Sequence, residues 1–403
     1  MTVTDRFLNY VRIHSASDDK NDSEVPSAKR EFDMTDHLYS EMKELGFSGV
    51  YRDEHAYVYG YIPASEGMEN EKCIAFNSHI DTVPEFSGEN VKPQITYNYD
   101  GNDVLLGSSG RVLSGDMFPH LRSLRGQTLI TTDGTTVLGA DDKAGIAEIM
   151  SACEFLLNHS DIRHGKISVC FSPDEEIGHG AALMDLDRVG VDYGYTVDGG
   201  EVNEINFETF NASSAKVFIK GVSVHPGSAK DKMINASLVA MEFNSLLPPD
   251  EIPSKTENYE GFFHLTDMSG STDSAELSYI IRDHDSDRFK EREDMICSAA
   301  DEINSRYGKD TARVEIKEQY RNMSEVLGRD SEPLKRAEKA IEKAGLEVVT
   351  VPVRGGTDGA QLSFRGLPCP NLGTGGYAFH GPYEHITSEH LEKMTEILIN
   401  IMT

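Results

Sequence analysis

Two adjacent glutamates, Glu175 and Glu176, follow directly after a short apolar stretch of the chain. The stretch 167–171 is rich in β-branched and apolar residues, which predicts a buried strand, and Pro173 ends it because proline cannot donate to a central ladder. Neighbouring carboxylates repel each other, so a fold that buries both needs positive charge between them. A divalent cation would supply that charge, with one carboxylate as ligand and the other free to handle a proton. An isolated pair of this kind would more often be a solvated acidic turn.

Three further predicted strands lead to residues of metal-ligand type, namely His79, Asp141 and Asp198. Ligands of α/β sheets bind beyond the carboxyl ends of the strands, where His79 is expected. A metal-bound histidine usually donates its other ring N–H to a carboxylate, and Asp81 stands two residues further on. A surface His–Asp pair and an ordinary helix N-cap at Asp141 or Asp142 are the plain alternatives. Four such strand ends in succession favour a shared metal site.

The composition limits the remaining choices. The chain has 403 residues, which favours two domains over a single compact core. Its net charge of −30 disfavours nucleic acid and anionic lipid as partners. No apolar run approaches the length of a membrane span, and the first residues lack the basic and apolar regions of a secretory signal. The five scattered cysteines, an odd number without a Cys-x-x-Cys pair, favour a reduced, cytoplasmic location.

The predicted elements change character near residues 210 and 320. The parts 1–209 and 321–403 are of α/β type, with a polar loop at 15–24. The part 210–320 carries short alternating strands and two helices, which predicts an inserted α+β domain. One of its helices is predicted over 286–307, with Ser286 as the N-cap.

Several motifs, taken in chain order, resemble the dinuclear zinc aminopeptidase and carboxypeptidase family, and within it the tripeptide aminopeptidases of the peptidase T branch. The resemblance covers nearly the whole chain. The motifs are His79-x-Asp81, Gly139-Ala-Asp-Asp-Lys-Ala-Gly145, Pro173-Asp-Glu-Glu-Ile-Gly178, Asp198-Gly-Gly, Val224-His-Pro-Gly-Ser-Ala-Lys230, Val353-Arg-Gly-Gly-Thr-Asp-Gly359 and Phe379-His380-Gly.

The resemblance implies a mixed-sheet α/β catalytic domain with helices on both faces, formed by 1–209 and 321–403, and a lid or dimerisation-type domain at 210–320. It also implies two zinc ions per subunit. The implied site has His79 and Asp198 on one zinc, Glu176 and His380 on the other, Asp141 bridging both, Glu175 as general base and Asp81 orienting His79. Two Zn²⁺, three carboxylate ligands and one bridging hydroxide sum to a neutral cluster, which a buried site tolerates best.

Two substrate-binding residues are implied as well. His225 matches a histidine that donates to the tetrahedral oxyanion, either in its own subunit or in a neighbouring one. Arg354 matches a residue that holds the C-terminal carboxylate of the peptide, for which a guanidinium is suited because it binds carboxylates in a bidentate way. Arg282 is a rival for that role. A turn residue before Pro226 is the plain alternative for His225.

The function expected from the resemblance is release of the N-terminal residue from tripeptides by metal-activated water. A dipeptidase or an N-acyl amino acid deacylase of the same dinuclear zinc family is the alternative. A peptide-binding protein that has lost catalysis is disfavoured by the intact Glu175 and ligand set. The expected partners are short peptides, and the resemblance allows a homodimer through the inserted domain.

Overall fold

The computed structural model describes residues 1–21 and 23–403, so Asp22 of the predicted polar loop lies outside the described residues. The chain divides into two compact units. The large unit comprises Met1–Phe207, Val326–Val351 and Thr357–Thr403, and the small unit comprises Glu208–Glu325 and Pro352–Gly356. The segment Pro352–Gly356, which includes Arg354, therefore belongs to the small unit. The sequence pattern predicted that this segment belongs to the catalytic domain, within 321–403.

The regular elements of the described residues alternate between helices and short strands. The helices are α1 Val3–Tyr10, α2 Glu31–Leu45, α3 Ala140–Asn158, α4 Leu186–Val189, α5 Ala236–Ser245, α6 Ser286–Tyr307, α7 Glu332–Lys343, α8 Asp358–Phe364 and α9 Ser388–Met402. The strands are β1 Ser48–Arg52, β2 Val58–Ile62, β3 Ile74–His79, β4 Gln94–Thr96, β5 Val104–Leu105, β6 Val112–Leu113, β7 Leu129–Thr131, β8 Ile167–Ser172, β9 Tyr193–Val197, β10 Glu204–Asn206, β11 Asn211–Lys220, β12 Phe262–Gly270, β13 Ser274–Asp283, β14 Ala312–Tyr320, β15 Val349–Thr350, β16 Asn371–Leu372 and β17 His385–Thr387.

The large unit is built on an eight-stranded mixed sheet with the order β1-β2-β8-β3-β9-β16-β10-β15. The centre of the sheet is parallel, because β3 pairs in parallel with both β8 and β9. Every residue of these three strands is buried, as expected for parallel strands that are covered on both faces. The predicted α/β fold class with a mixed sheet is confirmed, and the parallel centre brings three strand ends to one edge.

Helix α3 packs against β3 and β9 and also contacts α1 and α9. It carries thirteen buried residues out of nineteen, so apolar burial holds it on the sheet. Its first turn is irregular, because Asp141 and Asp142 have non-helical backbone angles. The start of α3 is therefore shaped by contacts other than the usual helical hydrogen bonds.

The ends of other helices follow local sequence signals. Gly46 ends α2 in the left-handed conformation, with a φ of 92°, as its position in the sequence predicts. The prediction that Ser286 caps α6 is wrong by one residue. The cap is Asp285, whose side chain accepts from the backbone N–H of Arg288. Aspartate serves as well as serine in this role, so the sequence offered two adjacent candidates.

The small unit contains a four-stranded antiparallel sheet in the order β12-β13-β11-β14. Helices α5 and α6 pack on this sheet, and the apolar residues of strands and helices form a core of the unit's own, centred on Val217, Phe243, Leu277 and Ile296. None of the helices in the described residues has the length and hydropathy that a bilayer crossing requires.

A histidine pair lies in the large unit outside the main sheet. Strand β17 pairs with β7, and His385 at its start is fully buried. The Nε2 atoms of His385 and His120 are 2.9 Å apart, and His385 Nδ1 lies 2.7 Å from the carbonyl oxygen of Tyr383. His385 Nδ1 donates to the carbonyl oxygen of Tyr383, so His385 Nε2 must accept the proton of His120 Nε2, and this contact requires a neutral His385 ring.

Gly145 generates a prediction about packing. A Cβ atom at this position would lie 2.2 Å from the carbonyl oxygen of Val197 and 2.6 Å from Ser78 Oγ. Gly145→Ala is therefore expected to push α3 off the sheet and to lower the free energy of unfolding by about 1–3 kcal/mol. Gly328→Ala is the matched control, because its Cβ would meet no atom within 4 Å. Thermal unfolding of both variants tests this prediction. Equal midpoint temperatures of unfolding for the two variants would contradict the close contact at Gly145.

The His385–His120 contact generates a prediction about pH. Burial, together with nearby His120 and His390, lowers the pKa of His385 from 6.5 to about 4, although the hydrogen bond to Tyr383 acts in the opposite direction. In the unfolded chain His385 becomes protonated below about pH 6.5, whereas in the folded chain it stays neutral until about pH 4. The stability contribution of His385 is therefore complete above that window and falls as the pH decreases through it.

We expect His385→Asn to be less stable than the wild type at pH 7, because the bond to His120 is lost. The difference between the two proteins should shrink as the pH falls from about 6.5 to about 4. Urea unfolding at a series of pH values measures it. A difference that stays constant over the series would show that His385 is not held neutral.

Candidate metal centre

Three neighbouring parallel strands deliver most of the predicted site residues. His79 is the last residue of β3, and Asp198 follows directly after β9. Glu175 and Glu176 lie in a short 3₁₀ turn just after β8. Because β8, β3 and β9 are neighbours in the order of the sheet, their carboxyl ends place these four side chains at one edge.

Asp141 stands between two histidines. Its Oδ1 lies 2.9 Å from His79 Nε2, and its Oδ2 lies 3.2 Å from His380 Nε2. Each oxygen of one carboxylate thus faces a different imidazole nitrogen. This is the arrangement that a carboxylate needs to bridge two cations.

The remaining ligand-type groups fall on the two sides of Asp141. On the His79 side, the Nε2 atom is 3.7 Å from Asp198 Oδ1 and 4.0 Å from Glu175 Oε2. On the other side, His380 Nε2 is 3.2 Å from Glu176 Oε2. His380 is the exposed member of the set, while the others are largely buried.

The route by which Asp141 reaches the site differs from the expectation. The predicted strand before it is β7, which belongs to a separate three-stranded sheet with β17 and β4. Asp141 is instead placed by the irregular first turn of α3. The plain alternative of an N-cap does not apply to Asp141 or Asp142, because Gly139 occupies the cap position and no side chain caps the helix.

Asp81 connects the two halves of the site. Its Oδ1 lies 3.2 Å from His79 Nδ1 and accepts from the backbone N–H of Glu175 at 3.0 Å. Its Oδ2 accepts from the backbone N–H of Glu176 at 3.2 Å. The backbone carbonyl oxygen of Asp81 also lies 3.1 Å from His79 Nδ1, so Asp81 holds the ring through backbone and side chain, and its carboxylate holds the turn that carries both glutamates.

The charges of the site favour a bound cation. Burial raises the pKa of Glu175 and of Asp198 above their usual ranges, and that of Glu176 to about 10, and neighbouring carboxylates add to each rise. The buried Oε1 of Glu176 has no hydrogen-bond partner among the described residues. Without positive charge these groups must hold protons, whereas divalent cations would let them ionise.

Ligand-atom distances are consistent with such cations. In two groups of side chains, the ligand atoms all lie within 4.8 Å of one another. The first group is His79, Glu175 and Asp198, and the second is His79, Asp141 and Glu176. The donor set of imidazole nitrogens and carboxylate oxygens suits Zn²⁺. Both groups contain His79 and only the second contains Asp141, so the residues present fit divalent cations held around His79 and Asp141.

Two buried aspartates near the site were not predicted. Asp142 accepts from the backbone N–H of His79 at 3.1 Å. Asp358 accepts from Ser172 Oγ at 2.8 Å, and burial raises its pKa to about 6. A Cβ on Gly180 would lie 2.4 Å from both carboxylate oxygens of Asp358, so only glycine allows this approach. Asp142 lies in the motif Gly139–Gly145 and Asp358 in the motif Val353–Gly359, and this was the sequence signal that could have identified them.

The two predicted substrate-binding residues belong to the small unit. His225 is exposed, and its Nδ1 accepts from the backbone N–H of Gly227 at 3.1 Å. Arg354 donates through Nη1 to the carbonyl oxygens of Asn258 and Glu260, at 2.8 and 3.1 Å, and through Nη2 to Thr256 Oγ1 at 2.9 Å. Arg354 therefore holds the loop 256–260.

The contacts of Asp81 generate a prediction. An Asp81→Asn variant keeps the size of the side chain but turns one acceptor oxygen into an N–H donor that faces a backbone N–H. Outer partners of metal ligands typically contribute 10- to 100-fold, so we expect metal affinity and activity to fall by about that factor. Asp185→Asn is the control, because Asp185 caps α4 and asparagine caps equally well. Chelator competition measures the affinity, and an unchanged value in Asp81→Asn would contradict the role.

Comparison with known proteins places the chain in a family. The model of peptidase family M20/M25/M40 matches residues 138–403. A peptidase T of Clostridium perfringens is 50% identical over 400 residues, covering 99% of this chain and 98% of the relative. A peptidase T of Bacillus velezensis is 45% identical over 400 residues, covering 99% and 97%.

Solved structures share the fold. The crystal structure of the aminopeptidase PepT of Bacillus cereus has a TM-score of 0.77 at 23% identity and covers 99% of this chain and 97% of that one. A tripeptidase of Staphylococcus aureus has a TM-score of 0.78 at 22% identity, with coverage of 99% and 96%. From the family model and the full-length relatives together, the chain belongs to peptidase family M20/M25/M40, in its peptidase T branch.

Proposed function

We propose that this peptidase releases the N-terminal residue of tripeptides with two zinc ions and a water molecule. One observation carries the proposal: the two oxygens of Asp141 face two different histidines, each with further carboxylates beside it. The peptidase T relatives and the tripeptidase of Staphylococcus aureus among the structural neighbours support the choice of substrate.

The proposed ligands divide around Asp141. His79 and Asp198 would hold one zinc, Glu176 and His380 would hold the other, and Asp141 would contribute a carboxylate oxygen to each. When bound, the two ions would lower the pKa of a shared water and polarise the scissile carbonyl.

Glu175 is proposed as the general base. It takes the proton of the attacking water and later gives it to the leaving amine. Its Oε2 is farther from His79 Nε2 than the nearest oxygens of Asp141 and Asp198 are, which supports a role beside the ligands rather than as one of them. Its backbone N–H is bound by Asp81, so the base is held in a fixed position.

His225 is proposed to donate a hydrogen bond to the oxyanion that forms on the scissile carbonyl. Because its Nδ1 accepts from Gly227, the neutral ring carries its proton on Nε2. That atom is the donor which the role requires. The ring can serve in this way in its own subunit or in a neighbouring one.

Arg354 is proposed to bind the C-terminal carboxylate of the substrate. Its contacts use both protons of Nη1 and one of Nη2, which leaves one proton on Nε and one on Nη2. The rival Arg282 donates through Nη1 to Ile281 O and to Gln319 Oε1, at 3.1 and 3.2 Å, and burial lowers its pKa. Both arginines are half-buried, so the preference for Arg354 rests on its place in the motif Val353-Arg-Gly-Gly-Thr-Asp-Gly359.

We also propose that the protein is located in the cytoplasm. The proposed assembly is a homodimer that forms through the small unit. The scattered cysteines, all of them free, support the first. The proposed partners are short peptides rather than nucleic acid or membranes, in line with the net charge of −30.

Replacement of the base generates a prediction. Glu175→Gln keeps the size of the side chain but cannot accept the proton of water, so kcat is expected to fall by about 10²- to 10⁴-fold. The zinc content should remain at two per chain, because the proposed ligands are intact. Glu66→Gln, an exposed site elsewhere, is the control and should keep full activity. Wild-type kcat in Glu175→Gln would exclude Glu175 as the base.

A panel of peptides tests the substrate in the same assay. Free tripeptides should be cleaved far faster than dipeptides, tetrapeptides, N-acyl amino acids or tripeptide amides, which lack the terminal carboxylate. Removal of metal with a chelator should abolish the activity, and zinc should restore it. Preference for dipeptides or for N-acyl amino acids would instead support the alternative function within the family.

A further inference from the structure

Glu384 is a buried carboxylate that none of the roles above includes. It lies four residues after His380 and is 1% exposed. Its Oε2 accepts from the backbone N–H groups of Leu138 and Gly139, at 2.6 and 2.8 Å. Its Oε1 accepts from the backbone N–H of Asp141 at 3.0 Å. One side chain thus receives three backbone donors from the turn that carries the residue between the two histidines.

That turn has little support of its own. Gly139 adopts a φ of +79° at the start of α3, and no side chain caps the helix there. The first N–H groups of a helix lack partners within the helix, and the angles of Asp141 and Asp142 are non-helical. The hydrogen bonds from Glu384 satisfy donors that would otherwise be buried without a partner, which is costly.

A buried lysine lies beside the same turn. A Cβ on Gly139 would lie 3.9 Å from Lys143 Nζ, and Lys143 donates to the carbonyl oxygen of Ile13 at 2.6 Å.

Burial raises the pKa of Glu384 to about 7, and the three backbone donors oppose that rise. Hydrogen bonds to a carboxylate are stronger than those between neutral groups, so the contact is well suited to hold a backbone in place.

We propose that Glu384 is a positioning residue that fixes the carboxylate of Asp141 between His79 and His380 and thereby sets the metal affinity of the site. The inference rests on the proposed role of Asp141 as the bridging ligand. Glu384 and His380 lie on the same short segment, so the anchor of the turn and the ligand that faces Asp141 are joined by three intervening residues.

Glu384→Gln is a sharp test, because it keeps the size of the side chain. Glutamine has only one carbonyl oxygen, so in either orientation its amide N–H group faces a backbone N–H of the turn. Glu384→Asp is a second variant, which keeps both acceptor oxygens but withdraws them by one methylene group. Glu148→Gln is the matched control, because Glu148 lies in the same helix as Asp141 and is fully buried, and neither oxygen has a partner among the described residues.

The experiment measures zinc affinity of the full-length protein by competition with a chromophoric chelator. Thermal unfolding of each metal-free protein runs beside it. We expect about 10- to 100-fold weaker zinc binding in Glu384→Gln and a smaller loss in Glu384→Asp. Glu148→Gln should bind zinc within about twofold of the wild type, since it removes no contact to a ligand.

The outcomes separate this inference from the proposed function. Wild-type protein that binds no zinc would overturn the proposed metal site itself. A wild type that binds two zinc ions, with unchanged affinity in a folded Glu384→Gln variant, would overturn only the role of Glu384. Lower unfolding temperature at unchanged zinc affinity would also overturn it, because that would show a merely structural contact. If Glu384→Gln does not fold, the affinity of Glu384→Asp decides by the same criteria.

Discussion

The site depends on one electrostatic constraint, which is the burial of several carboxylates next to one another. Asp141, Glu175, Glu176 and Asp198 gather around two imidazole rings, and burial raises the pKa of three of the four. A protein can accept such a cluster only by protonating it or by filling it with positive charge. A peptidase needs the second solution, because protonated carboxyls neither bind metal nor accept a proton from water.

The fold resolves this constraint through backbone hydrogen bonds as much as through side chains. The parallel strands β8, β3 and β9 set the spacing of the ligands, and their buried residues leave little freedom at the strand ends. Asp81 then binds two backbone N–H groups of the glutamate turn, and Asp142 binds that of His79. These backbone hydrogen bonds hold the glutamate turn and His79 in place, so the carboxylates of the cluster keep their positions whether protons or cations neutralise them.

The sequence predicted which side chains follow the strand ends better than it predicted the contacts that place them. His79, Glu175, Glu176 and Asp198 follow apolar strands, and that local pattern is readable without a structure. The partners of Glu384 are backbone N–H groups 243 to 246 residues away, and a backbone donor leaves no mark in a sequence.

The same limit explains the errors. Strand β7 has the composition of the central strands, but its partners are β17 and β4, so composition alone could not assign it to a sheet. The cap of α6 differed by one residue because Asp285 and Ser286 satisfy the same local rule. Nothing local marks Pro352–Gly356 as part of the small unit, since the contacts of Arg354 are made with a loop almost one hundred residues earlier.

The contacts of Arg354 bear on how such an enzyme could measure the length of a peptide. A free arginine side chain loses rotamer entropy when it grips a ligand, and this loss weakens binding. Arg354 is already held by Thr256, Asn258 and Glu260 and packs over the rings of Phe210 and Phe262. Its remaining protons on Nε and Nη2 form one side of the guanidinium, where a carboxylate can bind in a bidentate way. If Arg354 binds the C-terminal carboxylate as proposed, a guanidinium fixed in this manner would favour substrates whose carboxylate reaches that one position.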